Sequence, residues 1–180
     1  KGPEAYAVMD SSGNLVFVRS NNSYANGEID TLVDIRGDSH TGRIFTGVEN
    51  SGRSPAWISY VGDIINVYAI DEIRPVTTER WFDGARSLTS FQKENIDFSG
   101  VVSAYGMFQY CESLTSLDLS NIDTGSLESM ACMFYFCTNL TEINFDGINT
   151  SNVINMGYMF AGCENLLSLD LSDFDTSKVV

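Results

Sequence analysis

Met130-Ala131-Cys132-Met133-Phe134-Tyr135-Phe136-Cys137-Thr138-Asn139-Leu140, followed by Thr141-Glu142-Ile143-Asn144-Phe145, recurs along the chain at a fixed spacing of 26 residues. Met133-Phe134 is preceded by Met107-Phe108 and followed by Met159-Phe160, and Cys137 by Cys111 and Cys163. Leu140 has its counterparts in Leu114 and Leu166, and the pair Ile143, Phe145 in Leu117, Leu119 and Leu169, Leu171. Carried backwards, the register puts Trp81-Phe82 in the Met-Phe place and Ile65, Val67, Ile70 in the places of Leu117, Leu119, Ile122, so the array begins near residue 64. A repeat of this length signals units that stack because none can bury its apolar side alone.

Two periods alternate within each unit. Ser116-Leu117-Asp118-Leu119-Ser120 and Ser168-Leu169-Asp170-Leu171-Ser172 alternate polar and apolar residues, the pattern of a short strand with one buried face. Between strands, Leu127, Met130, Met133, Phe134, Cys137 and Leu140 fall at offsets 0, 3, 6, 7, 10 and 13, the apolar stripe of a helix. The reading is an α/β fold: a right-handed solenoid with short parallel strands on one face, helices on the other, and a β-rich N-terminal cap. Strands are expected near residues 65–67, 91–93, 117–119, 143–145 and 169–171, with Phe82, Phe108, Phe134 and Phe160 forming an internal spine. Residues 1–63 form the capping region, with a hairpin around Asp10–Asn14. Residues 64–180 hold about 4.5 repeats, and Ser177-Lys178-Val179-Val180 matches Ser151-Asn152-Val153-Ile154, so the chain reads as stopping in mid-repeat.

One polar column keeps the register: Asp71, Asp97, Asp123, Asn149 and Asp175. Asx side chains accept backbone N–H groups at turns, and a turn repeated five times needs the same cap five times. The rival reading, a row of calcium ligands, lacks the Asp-x-Asp-x-Asp-Gly loop that would gather enough oxygens. Cys111, Cys137 and Cys163 occupy the buried stripe and read as reduced core thiols, with Cys132 in a different column, that of Gly106 and Tyr158. No Cys-x-x-Cys pair suggests zinc.

The stretch Met130–Leu140 and the run Leu-Ser-Leu-Asp-Leu-Ser-Asp-Phe-Asp-Thr-Ser-Lys-Val ending at Val179 resemble the BspA-like leucine-rich repeat surface proteins of gut and oral bacteria. Ala5–Phe17 and Arg80-Trp81-Phe82 are similar to the N-terminal part of such proteins. The resemblance implies a leucine-rich repeat solenoid, secretion, and a place at the cell surface or cell wall. It further implies adhesion: binding a host or bacterial surface protein or a glycan. The alternative is a structural spacer that holds another domain away from the wall.

Charge and motif content narrow the function. Twenty-four acids against ten bases give a net charge of −14, and nine of the ten bases lie in residues 1–99. Such a field disfavours nucleic acid and anionic membranes. No apolar run is long enough to span a bilayer. His40 is the one histidine, and neither a Gly-x-Ser-x-Gly elbow nor a phosphate-cradling loop is present, so neither an enzyme nor a cofactor is expected.

What remains is the outward strand face. Its columns contain Tyr68, Glu94 and Asp146; Gln92, Asp118, Asn144 and Asp170; and Ile64, Ser116 and Glu142. Tyr68, Gln92, Glu94, Asp118, Asn144, Asp146 and Asp170 are therefore the expected partner-binding residues, with Tyr68 and Ile64 as an apolar hot spot at one end.

Overall fold

The protein is described here by a computed structural model covering residues 2–50 and 52–180. Eight strands form: β1 (Glu4–Met9), β2 (Asn14–Ser20), β3 (Ile29–Val33), β4 (Ser39–Phe45), β5 (Asn66–Ala69), β6 (Ser90–Phe91), β7 (Ser116–Asp118) and β8 (Glu142–Asn144). The first six make one mixed sheet in the order β3-β4-β1-β2-β5-β6, and β7 pairs with β8 in a second.

β1 and β2 form an antiparallel hairpin, Glu4 opposite Ser20 and Met9 opposite Leu15. Its turn is held by Asp10, whose Oδ1 accepts the N–H groups of Ser12 at 2.9 Å and Asn14 at 3.0 Å. Gly13 sits there at φ +82°, where a Cβ would lie 2.9 Å from the Asp63 carbonyl, so this position admits glycine alone. β2 then pairs in parallel with β5, which joins the N-terminal strands to the repeats in one continuous sheet. A single apolar cluster runs beneath it from Ala5 to Met159.

The expected helices do not form. Helical residues are 7% of the chain, all in three 3-10 segments, and strands 24%. The α/β leucine-rich repeat solenoid with a helical face is therefore overturned by a mostly β structure built on a mixed six-stranded sheet. The physical reason lies in the backbone. Arg80, Gly106, Cys132 and Tyr158 share one register position and all have φ between 55° and 58°; Gly84, Tyr110, Phe136 and Gly162 share another, four residues on, and are also left-handed. Two left-handed residues in each supposed helix end it.

The segments are instead chains of tight turns whose N–H groups alternate in direction. Met107, Gln109 and Cys111 donate back three residues, to Ala104, Gly106 and Phe108. Gly106, Phe108 and Tyr110 donate forward to Ala131, Met133 and Tyr135 in the next rung, at 2.8–3.0 Å. The rungs before and after repeat the scheme, from Phe82 to Met107 and from Phe134 to Met159. Because each turn closes over three residues, apolar side chains return inward at the spacing a helix would give.

The phenylalanine spine is present. Phe82 and Phe108 lie 5.5 Å apart, and Phe108, Phe134 and Phe160 follow at 5.7 Å with interplanar angles of 3° and 2°. At the strand side, Leu117 pairs with Ile143 as expected. Two strands fall short. The one expected at 91–93 is confined to Ser90–Phe91, which pair with Asn66–Val67; Lys93, in the sequence column of Leu119 and Phe145, turns its ammonium aside to the Ser120 carbonyl and hydroxyl. The one expected at 169–171 makes no backbone hydrogen bond to β8.

A second apolar cluster, Tyr6, Val8, Val16, Val18, Leu32 and Ile44, lies on the other face of the large sheet. The loop that closes it is anchored by buried Asp34, whose Oδ1 accepts the N–H groups of Arg36 at 2.8 Å and Asp38 at 3.0 Å, while His40 Nε2 lies 3.0 Å from Oδ2. Burial alone would push this carboxyl up, but the Arg36 and His40 side chains and the two N–H groups outweigh it and hold the group well below the usual carboxylate range.

Two predictions follow from this packing. Phe134→Ala removes a ring stacked on both sides and is expected to cost about 3–5 kcal/mol, against about 1 kcal/mol for Asp118→Ala, which loses a turn cap and an exposed ion pair with Lys93; equal shifts in denaturant midpoint for the two variants would refute the assignment of faces. Asp34 has a folded pKa below its unfolded value, so its stabilisation is fully present above about pH 4 and is lost as pH falls through the folded value. Asp34→Asn should therefore lower the melting temperature at neutral pH, and the difference from wild type should shrink in acid; a constant difference across pH contradicts the linkage.

Candidate interaction surface

β7 and β8 each bury their middle residue and expose the two beside it: Ser116, Asp118, Glu142 and Asn144 face out while Leu117 and Ile143 face in. These six residues line a shallow hollow of about 360 Å³ over the paired strands. Gln92, Glu94, Asp146 and Asp170 are exposed as well, so six of the seven expected partner-binding residues lie at the surface.

Tyr68 differs. It is half-buried and packs against the second apolar cluster, at the boundary where the sheet's outer face changes from apolar to polar. Ile64 is fully buried in the main core and Ile65 is 40% exposed, so the register at the head of β5 places Ile64 inward and the expected Tyr68–Ile64 hot spot does not exist.

The exposed polar residues fall into two groups. Asp118, Asn144 and Asp170 each spend a side-chain oxygen on the N–H two residues on, to Ser120, Asp146 and Ser172 at 2.9 Å. The hydroxyl and N–H of Ser120 hold the Asp118 carboxyl below its ordinary range, and those of Ser172 do the same for Asp170. Asp118 also lies 3.5 Å from Lys93 Nζ. Gln92, Glu94, Glu142 and Asp146, by contrast, make no side-chain hydrogen bond or ion pair among the described residues. Glu142, in an outward column but not among the seven expected residues, belongs in this second group.

The register column of Asx residues is structural. Asp97, Asp123, Asn149 and Asp175 accept the N–H groups of Ser99, Gly125, Ser151 and Ser177 at 2.9–3.0 Å. Asp71 instead reaches across to the Arg19 N–H at 2.8 Å. One oxygen of each of these four is taken up by its turn, and one of Asp71 by the neighbouring strand.

The family description "Mycoplasma protein of unknown function, DUF285" matches residues 76–180. The chain belongs to this family. The DUF285 segment opens at Val76, whose N–H bonds the Glu49 carbonyl, two residues before Thr78 donates to Ser103 and begins the ladder of turns. It thus contains the stacked turns, β6, β7 and β8, while β1–β5 precede it. No curated protein and no solved structure matches the chain.

The DUF285 turns also decide the state of the cysteines. Cys111, Cys137 and Cys163 donate their thiols to the carbonyls of Phe82, Phe108 and Phe134 in the rung before, at 3.3, 3.0 and 3.0 Å. Burial pushes the Cys111 thiol far up and that of Cys137 up to about 12; Cys163, half-buried, is raised for the same reason. All four cysteines are free, and Cys132 is half-buried at one of the left-handed positions. A thiol reagent should therefore label Cys163 before Cys137 and Cys111 in the native protein, and mass spectrometry after brief alkylation reads the order; Cys111 modified ahead of Cys163 without denaturant would contradict the burial gradient.

Proposed function

We propose that the protein is a non-catalytic interaction module, displayed outside the cell, which holds a protein or glycan partner on the outward face of its strands. The observation that carries the reading is the hollow over β7 and β8, together with Glu94, Glu142 and Asp146, three exposed carboxylates that no group among the described residues pairs with. Secretion and surface attachment rest on the resemblance to BspA-like proteins. The acidic field favours a partner carrying basic groups, since complementary charge raises the encounter rate.

The spacer reading keeps one observation in its favour: Asp118, Asn144 and Asp170 serve the fold directly, so their recurrence requires no ligand. The test must therefore avoid them. Glu94→Lys, Glu142→Lys and Asp146→Lys together reverse charge without removing a cap. Against immobilised host surface proteins and bacterial wall glycans, the wild type should bind a member of the panel in a salt-sensitive way, and the triple variant should associate about tenfold more slowly while melting as wild type does. Absence of binding across the panel, or an unchanged association rate in the variant, would leave the spacer as the better account.

A further inference from the structure

A hollow of about 620 Å³ lies away from the strand face, on the flank where the chain enters each set of turns. That is within the range of about 300–1,000 Å³ usual for ligand sites. One register position sets its walls. Val102, Glu128 and Ile154 line the hollow from that position, while Val76 holds it one rung earlier, outside the hollow; Val76, Val102 and Ile154 are 48%, 44% and 47% exposed. Three rungs of four turn an aliphatic residue outward, a choice that stacking does not reward. Tyr105, 39% exposed, adds an aromatic wall.

The floor is a row of hydrogen-bond donors. Ser103, Ser129 and Asn155 sit on consecutive rungs joined by parallel bridges. Each uses its side-chain oxygen to accept the N–H two residues on, of Tyr105, Ala131 and Gly157. The two hydroxyl protons and the Asn155 amide N–H groups are left, with no acceptor among the described residues. At one end stands Arg53, the one basic side chain among the described residues with no hydrogen bond, ion pair or ring contact. Its neighbour Arg80 is already engaged by Asp83 and Ser54.

We propose that this flank binds the free carboxyl end of an extended aliphatic peptide, a site separate from the strand face. The terminal carboxylate pairs with Arg53, backbone carbonyls of the peptide accept from Ser103, Ser129 and Asn155, and its aliphatic side chains lie against Val102, Ile154 and Tyr105. Glu128 lines the hollow beyond Ser103 and repels a carboxylate there, which favours placing the anionic group at the Arg53 end; Glu79 stands beside Arg80, already engaged by Asp83 and Ser54. A sugar is a poorer fit, because aliphatic walls offer no flat ring face beyond Tyr105.

The test is a titration of the full chain, followed by methyl and amide NMR, with a pool of N-acetylated tetrapeptides of Ala, Val, Leu and Ile bearing free C-termini, and with the same pool amidated. Saturable shifts at Val102, Tyr105 and Ile154 are expected with the free acids, weakened about tenfold by amidation and by Arg53→Gln, a substitution that breaks no contact of the fold. Ile154→Asp, placed at an exposed site, should abolish them. Charge reversal on the strand face should leave them unchanged, so this site stands or falls independently of the one on the strands. Absence of shifts at these residues, or equal shifts with acid and amide, would overturn the proposal.

Discussion

The structure depends on the alternation of backbone hydrogen bonds in the stacked turns. Each rung must satisfy its N–H groups twice over, one set within the turn and one set against the next rung, as Met107 to Ala104 and Phe108 to Met133 show. A helix would spend every N–H internally and leave nothing to bind the neighbouring rung. The left-handed residues at 80, 106, 132 and 158, and at 84, 110, 136 and 162, redirect alternate N–H groups along the stack. Each non-glycine residue in that conformation costs about 1–2 kcal/mol. The cost is offset by the forward hydrogen bond beside it and by rings such as Phe108 and Phe134, parallel pairs worth about 0.5–1.5 kcal/mol beyond their burial.

That constraint explains what the sequence made legible and what it concealed. The register was legible because stacked rungs force like residues into contact, and it located the phenylalanine spine, the Leu117–Ile143 pair and the Asx caps. The turns were concealed because successive three-residue closures return apolar side chains at the same offsets as a helix. The signal that separates them was nonetheless written in the chain: Gly84 and Gly162 share one column and Gly106 stands in another, inside segments that a helix would fill with better formers. Lys93, alone among apolar residues in its column, likewise marked where the strand row breaks.

The candidate surface was legible in part for the same reason. Alternation in Ser116-Leu117-Asp118 fixes which side chains face out, and the structure agrees there and in β8. It failed at Ile64 and Ile65, where the chain leaves a 3-10 turn ending at Asp63 and no repeat yet dictates its phase. Tyr68 was misjudged because nothing local reveals the second apolar cluster, which is assembled from β1, β2, β3 and β4 far away in sequence. The flank was not read from the sequence, because its polar floor, Ser103, Ser129 and Asn155, keeps the 26-residue spacing but forms no motif.

The same caps that hold the turns also govern the charge of the surface. Asp97, Asp118, Asp170 and Asp175 accept an N–H and a hydroxyl from the serine two residues on, and each is thereby held below the ordinary carboxylate range. A depressed pKa keeps a group ionised to lower pH, so residues recurring for the sake of the fold also keep the acidic face charged in mildly acidic surroundings. Basic side chains do little to cancel it, since Arg19, Arg74, Arg80 and Arg86 are paired to acids near them and the C-terminal part of the array contains only Lys178. The field is felt over about 8 Å at physiological salt and so acts on approach more than on affinity. On the strand face, the side chains the fold does not already use are Gln92, Glu94, Glu142 and Asp146.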